Sequence, residues 1–410
     1  MEKPCKIEIK LIILSFYFLL LYAIMIAVKV SFWDLLVDVY PPNVCRRKTK
    51  MRKILALVLL VLLILPGCSR LEKQTVAVFW YEEADVYLSS VRTELDAAFE
   101  ERNIRYTHFF AENDQQKQLE QINAAIADGV SLLVVNQVRS GDSDIAHKII
   151  NAAGKRPVVF FNRAIGTEGT DVTLLSANKT TCFIGTNAPE AGHLQGRMIG
   201  NFVLEHFERL DLNGDGKISY AMLKGEESNA EAIFRTRYSV TGADKILTAA
   251  GKAALVYFDP YATQMWQTDP TGAWSAKAAQ DWMNQNLTEY NLKKGNMIEL
   301  VICNNDEMAL GAVKALQAVG LNREGAPHII PVFGVDATAK ARSLIAQGWM
   351  TGTVKQDAGG MAGAIAGTVQ AVLNGSAPVD ALKNLGDRRF RVAVDCDAKL
   401  YVEYAAYTGE

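Results

Sequence analysis

Nine residues, Asp211-Leu-Asn-Gly-Asp-Gly-Lys-Ile-Ser219, set side-chain oxygens at positions one, three, five and nine of a short loop: Asp211, Asn213, Asp215 and Ser219. Gly216 stands sixth, where such a loop must turn sharply. Lys217 stands seventh, where only a backbone carbonyl is needed. Hard oxygen donors at these offsets suit Ca²⁺. Position twelve should supply a bidentate carboxylate and is Met222. The loop is therefore either a solvated Asx/Gly turn or a site that takes its last carboxylate from elsewhere. The strand-length apolar run Ile218 to Leu223 follows it, so the scaffold is not a pair of helices around a loop.

A second set of polar residues is spread along the chain. Asp85, Asn136, Asn305, Asp336 and Gln356 each follow an apolar run. Singly, each also reads as an Asx turn or a helix cap. Together they offer carboxylates that accept and carboxamides that both donate and accept, which matches a neutral polyhydroxylated ligand. Phosphate recognition would call for a Gly-rich loop with Lys or Arg, and no Walker loop occurs. There is no G-x-S-x-G elbow and no Cys–His pairing, which argues against a hydrolase. The five histidines and six cysteines are scattered without a CxxC, so zinc and thiol redox chemistry are not indicated.

The elements that must hold these residues alternate. Strand-like runs fall at 75–81, 131–135, 157–161, 182–184, 218–223, 254–258, 298–303, 329–335, 351–354 and 389–394. Helical patterns fall between them, at 86–102, 117–128, 144–153, 189–208, 229–240, 275–287, 308–319, 341–347 and 361–373. Near-continuous apolar strands alternating with helices predict α/β architecture with parallel sheets covered on both faces. That many strands exceeds one ordinary sheet, so two doubly wound lobes are expected. In such sheets, ligands bind at the carboxyl ends of the strands, where the polar set lies.

The chain has 410 residues and a formal net charge of −2. Residues 1–67 hold 10 Lys/Arg against 4 Asp/Glu, leaving 33 against 41 in the remainder. An acidic body without a basic patch argues against nucleic acid. Leu11 to Val28 is an uncharged stretch just long enough to span a membrane. Met51-Arg-Lys then opens a basic segment, Ile54 to Leu65 is a short apolar run, and Leu65-Pro-Gly-Cys68 closes it. That layout is a secretory signal and resembles a bacterial lipoprotein leader, in which Cys68 becomes lipidated. Residues 51–67 are read as the leader and 68–74 as a linker. Translation is expected to begin at Met51, with a transmembrane helix within residues 1–50 as the alternative.

From about Thr75 to the C-terminus the chain resembles the periplasmic glucose/galactose-binding proteins of sugar ABC transporters, within the ribose-binding-like group. DLNGDGKIS, LKGE, ICNNDEMALGAVKAL, PVFGVDA and GTV carry the resemblance, in that order. It implies a type I periplasmic binding fold with two doubly wound lobes joined by three crossing strands, and binding without catalysis. The lobes are expected at 75–161 plus 356–388 and at 162–355 plus 389–410, hinged near Asn162, Gln356 and Arg389. It implies Ca²⁺ on Asp211, Asn213, Asp215, Lys217 and Ser219, with Glu299 as the borrowed carboxylate. For the sugar it implies Asp85, Asn136, Asn229, Glu231, Arg235, Asn305, Asp336 and Gln356, with Tyr87 and Trp274 stacking on the ring and Trp266 a rival to Trp274. Asn229, Glu231, Gln356 and Ser219 depart from the family's usual histidine, aspartate, asparagine and glutamine. Glucose or galactose delivered to a permease is the expectation, with a chemoreceptor as a further partner. The protein would be a monomer in the periplasm, anchored by lipid. A pentose or autoinducer-like ligand is the alternative.

Overall fold

The computed structural model describes residues 75–409 other than Glu168. The leader, Cys68, the linker and Leu11 to Val28 lie outside the described residues. Among those described, no helix is long and apolar enough to cross a membrane.

The chain first lays down five strands: β1 (Thr75–Trp80), β2 (Arg105–Phe110), β3 (Leu132–Val135), β4 (Val158–Phe161) and β5 (Thr181–Gly185). It then crosses to a second body. There it builds β6 (Ser219–Lys224), β7 (Val256–Tyr257), β8 (Gln267–Thr268), β9 (Leu300–Cys303), β10 (Val332–Asp336) and β11 (Gly352–Lys355). It returns for two helices, Ala358–Leu373 and Pro378–Lys383, and for β12 (Phe390–Val392) and β13 (Lys399–Val402). A last crossing adds β14 (Ala405–Tyr407) to the second body. Among the described residues this gives two seven-stranded sheets. The first runs β12-β13-β5-β4-β3-β1-β2. The second runs β14-β11-β10-β9-β6-β7, with β8 paired to β6.

Each sheet is covered on both faces because successive strand side chains point opposite ways. On β1, Val76, Val78 and Trp80 enter one core, with helix residues Leu95, Phe99, Ile365 and Val369. Ala77 and Phe79 enter the other, with Ile122, Ile145 and Ile149. In the second lobe, Ala221 and Leu223 of β6 face one core and Tyr220 and Met222 the other. Each fully buried Phe, Leu or Ile contributes about 1.5–3 kcal/mol. The buried thiols Cys182, Cys303 and Cys396 are unpaired.

The two-lobed α/β architecture is as expected, but the lobe boundaries need correcting. The first lobe does not end at residue 161. β5 pairs in parallel with β4, Val158 beside Thr181, and β13 pairs with β5. Residues 162–185 and 389–402 therefore belong to the first sheet. The crossings lie at residues 185–188, 355–358 and 402–405, so of the expected hinge positions Gln356 holds, whereas Asn162 and Arg389 do not. Pairing between strands far apart in the chain, which no local apolar run reports, accounts for the error. β2 is a half-exposed edge strand, RYTHFF, whose Thr107 and His108 interrupt the apolar run. Short β13 and β14 carry charged and small residues that hide their period.

In the second lobe, helices Ala188–Leu210 and Ala230–Ala249 pack backbone to backbone. A Cβ on Gly196 would stand 2.5 Å from the Tyr238 carbonyl oxygen and 3.0 Å from Gly242 Cα. Rigid backbone cannot yield to it. Gly196→Val is expected to destabilise the protein by about 3 kcal/mol or more, lowering the melting temperature by about 6 °C or more. Calorimetry against wild type checks this.

Candidate functional site

The carboxyl ends of both sheets face one another and enclose a cavity of about 40 Å³. Its wall holds Tyr81, Asp85, Tyr87, Asn162 and Arg163 from the first lobe. Asn229, Glu231, Arg235, Trp274, Asn305 and Asp336 come from the second, and Gln356 from a crossing. Nine of the ten expected ligand-facing residues thus converge. Asn136 does not: it is fully buried beneath the wall. Its Oδ1 accepts from the Tyr81 amide, and its Nδ2 donates to the Phe161 carbonyl and Asn162 Oδ1. It ties the ends of β1, β3 and β4 together. Tyr81, Asn162 and Arg163 were not legible as wall residues. A polar residue following directly on β4, as Asn162 does, was the available signal.

Local structure explains the placement. Asp85 caps the helix Val86–Glu101, its Oδ1 accepting from the Leu88 amide at 2.8 Å, and its Oδ2 accepts from the Tyr81 hydroxyl at 2.8 Å. Asn229 and Asn305 likewise cap helices, accepting from Ala232 and Met308 amides. Trp274 lies flat against Gly225, where any Cβ would meet its ring at 2.0 Å, and carries the Arg235 guanidinium 5.7 Å from its centroid. Trp266 is elsewhere, beside Lys224 and bonded to Glu227. β10 ends in strained backbone: Asp336 has φ 120° and Ala337 φ 55°, a conformation non-glycine residues adopt only when surroundings impose it.

Charge is dense here. Arg235 is buried and donates to Glu231, Gln356, Tyr404 and the Asn304 carbonyl. Burial works against its charge, but Glu231, Tyr404 and Asp336 hold its pKa up. Burial pushes the Asp336 carboxyl well up; Arg235 opposes this, while Asp306, Asp85 and Glu231 add to it. Arg163 stacks on the Tyr81 ring at 4.1 Å and pairs with Glu226 of the other lobe at 2.8 Å. Arg163 Nε, Arg235 Nε and Gln356 Nε2 are buried without a partner in the protein. Buried polar groups are normally satisfied. These three donors are therefore set to be satisfied by something else in the cavity.

At the oxygen-rich loop, Glu299 arrives from beside β9 and is nearly fully buried. Its Oε1 accepts from the Leu212 amide at 2.7 Å and its Oε2 from the Ser219 amide at 2.9 Å. Ser219 Oγ donates to the Met297 carbonyl. Asp211 accepts from the amides of Asp215 and Gly216, curling the loop. Burial pushes the Glu299 carboxyl up despite the amides that pull it down. Among the described residues, no three His, Cys, Asp or Glu side chains stand close enough together to hold a metal ion. The carboxylates of Asp211, Asp215 and Glu299 keep spare lone pairs.

Two sheets with their carboxyl ends closed on a polar cavity, and a chain that crosses between them three times, define a hinged solute receptor. Residues 76–377 match the family model described as periplasmic binding protein domain, and the chain belongs to that family. It is a binding protein and not an enzyme. The chain is 31% identical over 322 residues to the D-galactose/methyl-galactoside binding periplasmic protein MglB of Haemophilus influenzae, covering 77% of this chain and 87% of that one. It is 29% identical over 248 residues to a putative rhizopine-binding protein of Rhizobium meliloti, covering 60% and 67%. A Clostridium phytofermentans solute-binding protein with bound β-D-glucose superposes with TM-score 0.58 at 19% identity, covering 82% and 94%.

Asp306 lies just behind the wall, accepting from the Thr338 amide and the Thr353 hydroxyl. Burial raises its pKa to about 7. A raised folded-state pKa means that stability is fullest at low pH and is lost as pH rises from the ordinary carboxylate range through about 7. Asp306→Asn is expected to flatten that slope, read from urea midpoints across the same pH range.

Proposed function

We propose that this protein captures D-glucose or D-galactose in the periplasm and delivers it to the permease of an ABC transporter. The observation that carries this is the cavity wall. It sets unpartnered buried donors on Arg163, Arg235 and Gln356 against the carboxylates of Asp85 and Asp336, with the rings of Tyr87 and Trp274 lining the same space. Each sugar hydroxyl both donates and accepts, and the C–H faces of a pyranose suit aromatic rings. Family membership and the galactoside-binding relative support the same class of ligand. Both lobes contribute to the wall, so a sugar bound there is held between them. A pentose is the second reading, which the departures at Asn229 and Glu231 leave open.

The decisive measurement is calorimetric titration of the fragment from Ser69, unfolded and refolded to remove carried-over sugar. One-to-one binding of either hexose is expected. Arg235→Ala is expected to weaken it by about 100-fold or more, since it removes a charged donor and strands Glu231. Heat with arabinose or ribose alone would favour the pentose.

We also propose Ca²⁺ at Asp211, Asn213, Asp215, Lys217, Ser219 and Glu299, where the ion would neutralise a buried carboxylate and tie the loop to β9. Chelator is expected to lower the melting temperature by several degrees and Ca²⁺ to restore it. Glu299→Gln should abolish the difference; a transition indifferent to both would make the loop a plain turn. Lipidation at Cys68, chemoreceptor contact and a monomeric state complete the proposal.

A further inference from the structure

Three residues outside the sequence-based reading or only partly within it occupy equivalent places. Thr186 lies in the first crossing, Gln356 in the second and Tyr404 in the third. All three reach the same pair on the helix Ala230–Ala249. Arg235 Nη2 donates to Gln356 Oε1 at 3.1 Å and to the Tyr404 hydroxyl at 3.3 Å. The Tyr404 hydroxyl donates to Thr186 Oγ1 at 2.8 Å, and Thr186 Oγ1 donates to Glu231 Oε1 at 3.0 Å. Glu231 Oε2 closes the circuit by accepting from Arg235. Tyr404 and Thr186 are buried and neither is on the cavity wall.

We infer that Tyr404 and Thr186 are positioning residues that couple the ligand-facing Arg235 to the angle between the lobes. Hinge closure is absorbed by backbone rotation in the crossings, so bonds from one helix to all three crossings can be made together only over a narrow range of angles. Closing the lobes assembles the circuit, and the circuit fixes the guanidinium of an arginine that lines the cavity. Ligand contact and lobe angle are then one equilibrium, and affinity scales with the fraction of molecules in the competent arrangement. The phenol can do this at every physiological pH, because burial raises the Tyr404 pKa and keeps it a donor. The surrounding contacts of its ring, with Ala191, Val335 and Val354, do not need the hydroxyl.

The part of this inference that concerns affinity rests on the sugar-binding reading; the part that concerns lobe angle does not. Tyr404→Phe deletes the bridge and keeps the ring. Thr186→Val deletes it from the other end with almost unchanged shape. Spin labels at Gln116→Cys and Ser228→Cys, exposed on opposite sides of the cleft mouth, report the lobe angle in ligand-free protein by pulsed electron resonance. Both variants are expected to broaden the distance distribution towards longer separations, and the double variant to do no more than either single one. Where hexose binds, its dissociation rate should rise by about tenfold with the association rate nearly unchanged. Unchanged distance distributions in both variants would overturn the inference, whatever ligand the protein takes. Shifted distributions in a protein that binds no hexose would uphold the coupling and reject the sugar.

Discussion

A guanidinium buried between two lobes is the constraint on which this site depends. An unpaired charge there would cost several kcal/mol, so Arg235 dictates much of what surrounds it. Glu231 stands one helical turn before it on the same face. The Asn304 carbonyl at the end of β9 takes Nη1, and Gln356 and Tyr404 share Nη2. Trp274 closes the flat side. Nε is the one nitrogen of this guanidinium without a partner in the protein. The arginine is therefore an aimed donor and not a diffuse positive charge, which suits a neutral ligand better than an anionic one.

Much of this was legible in the sequence because the physics is local. β1, β3, β4, β9 and β10 announce themselves as short apolar runs, and Asp85, Asn305 and Asp336 mark where three of them or their successors end. The tight turn from Asp211 to Ser219 is also local, its glycines and Asx residues curling the backbone on themselves. What could not be read is non-local. Nothing near Asn136 says that its three hydrogen bonds are consumed by neighbouring strand ends. Nothing near Arg163 says that Glu226 waits across the cleft. Periodicity gave the right fold class, but the lobe boundaries depend on which strands pair, β5 with β4 and β13 with β5, and no local pattern reports that. Glu299 is the instructive middle case. Its role was implied by a family resemblance, and the structure brings its carboxylate to the Leu212, Asn213 and Ser219 amides.

The departures at Asn229 and Glu231 also gain a physical meaning. Asn229 spends its oxygen on capping a helix and its amide on Glu226. Glu231 has the extra methylene needed to meet Arg235 while still reaching Thr186. Both residues still line the cavity.

Neither sheet is built from one continuous piece of chain. β13 lies beside β5, and β14 lies beside β11, so residues 390–407 complete both lobes. A nascent chain that has not yet released its final residues has two unfinished sheets with open edges. Pairing across such long sequence separations is slow. For a polypeptide that must be threaded through a narrow export channel before it folds, that slowness is useful: the topology itself delays commitment to the native state until the whole chain has been made.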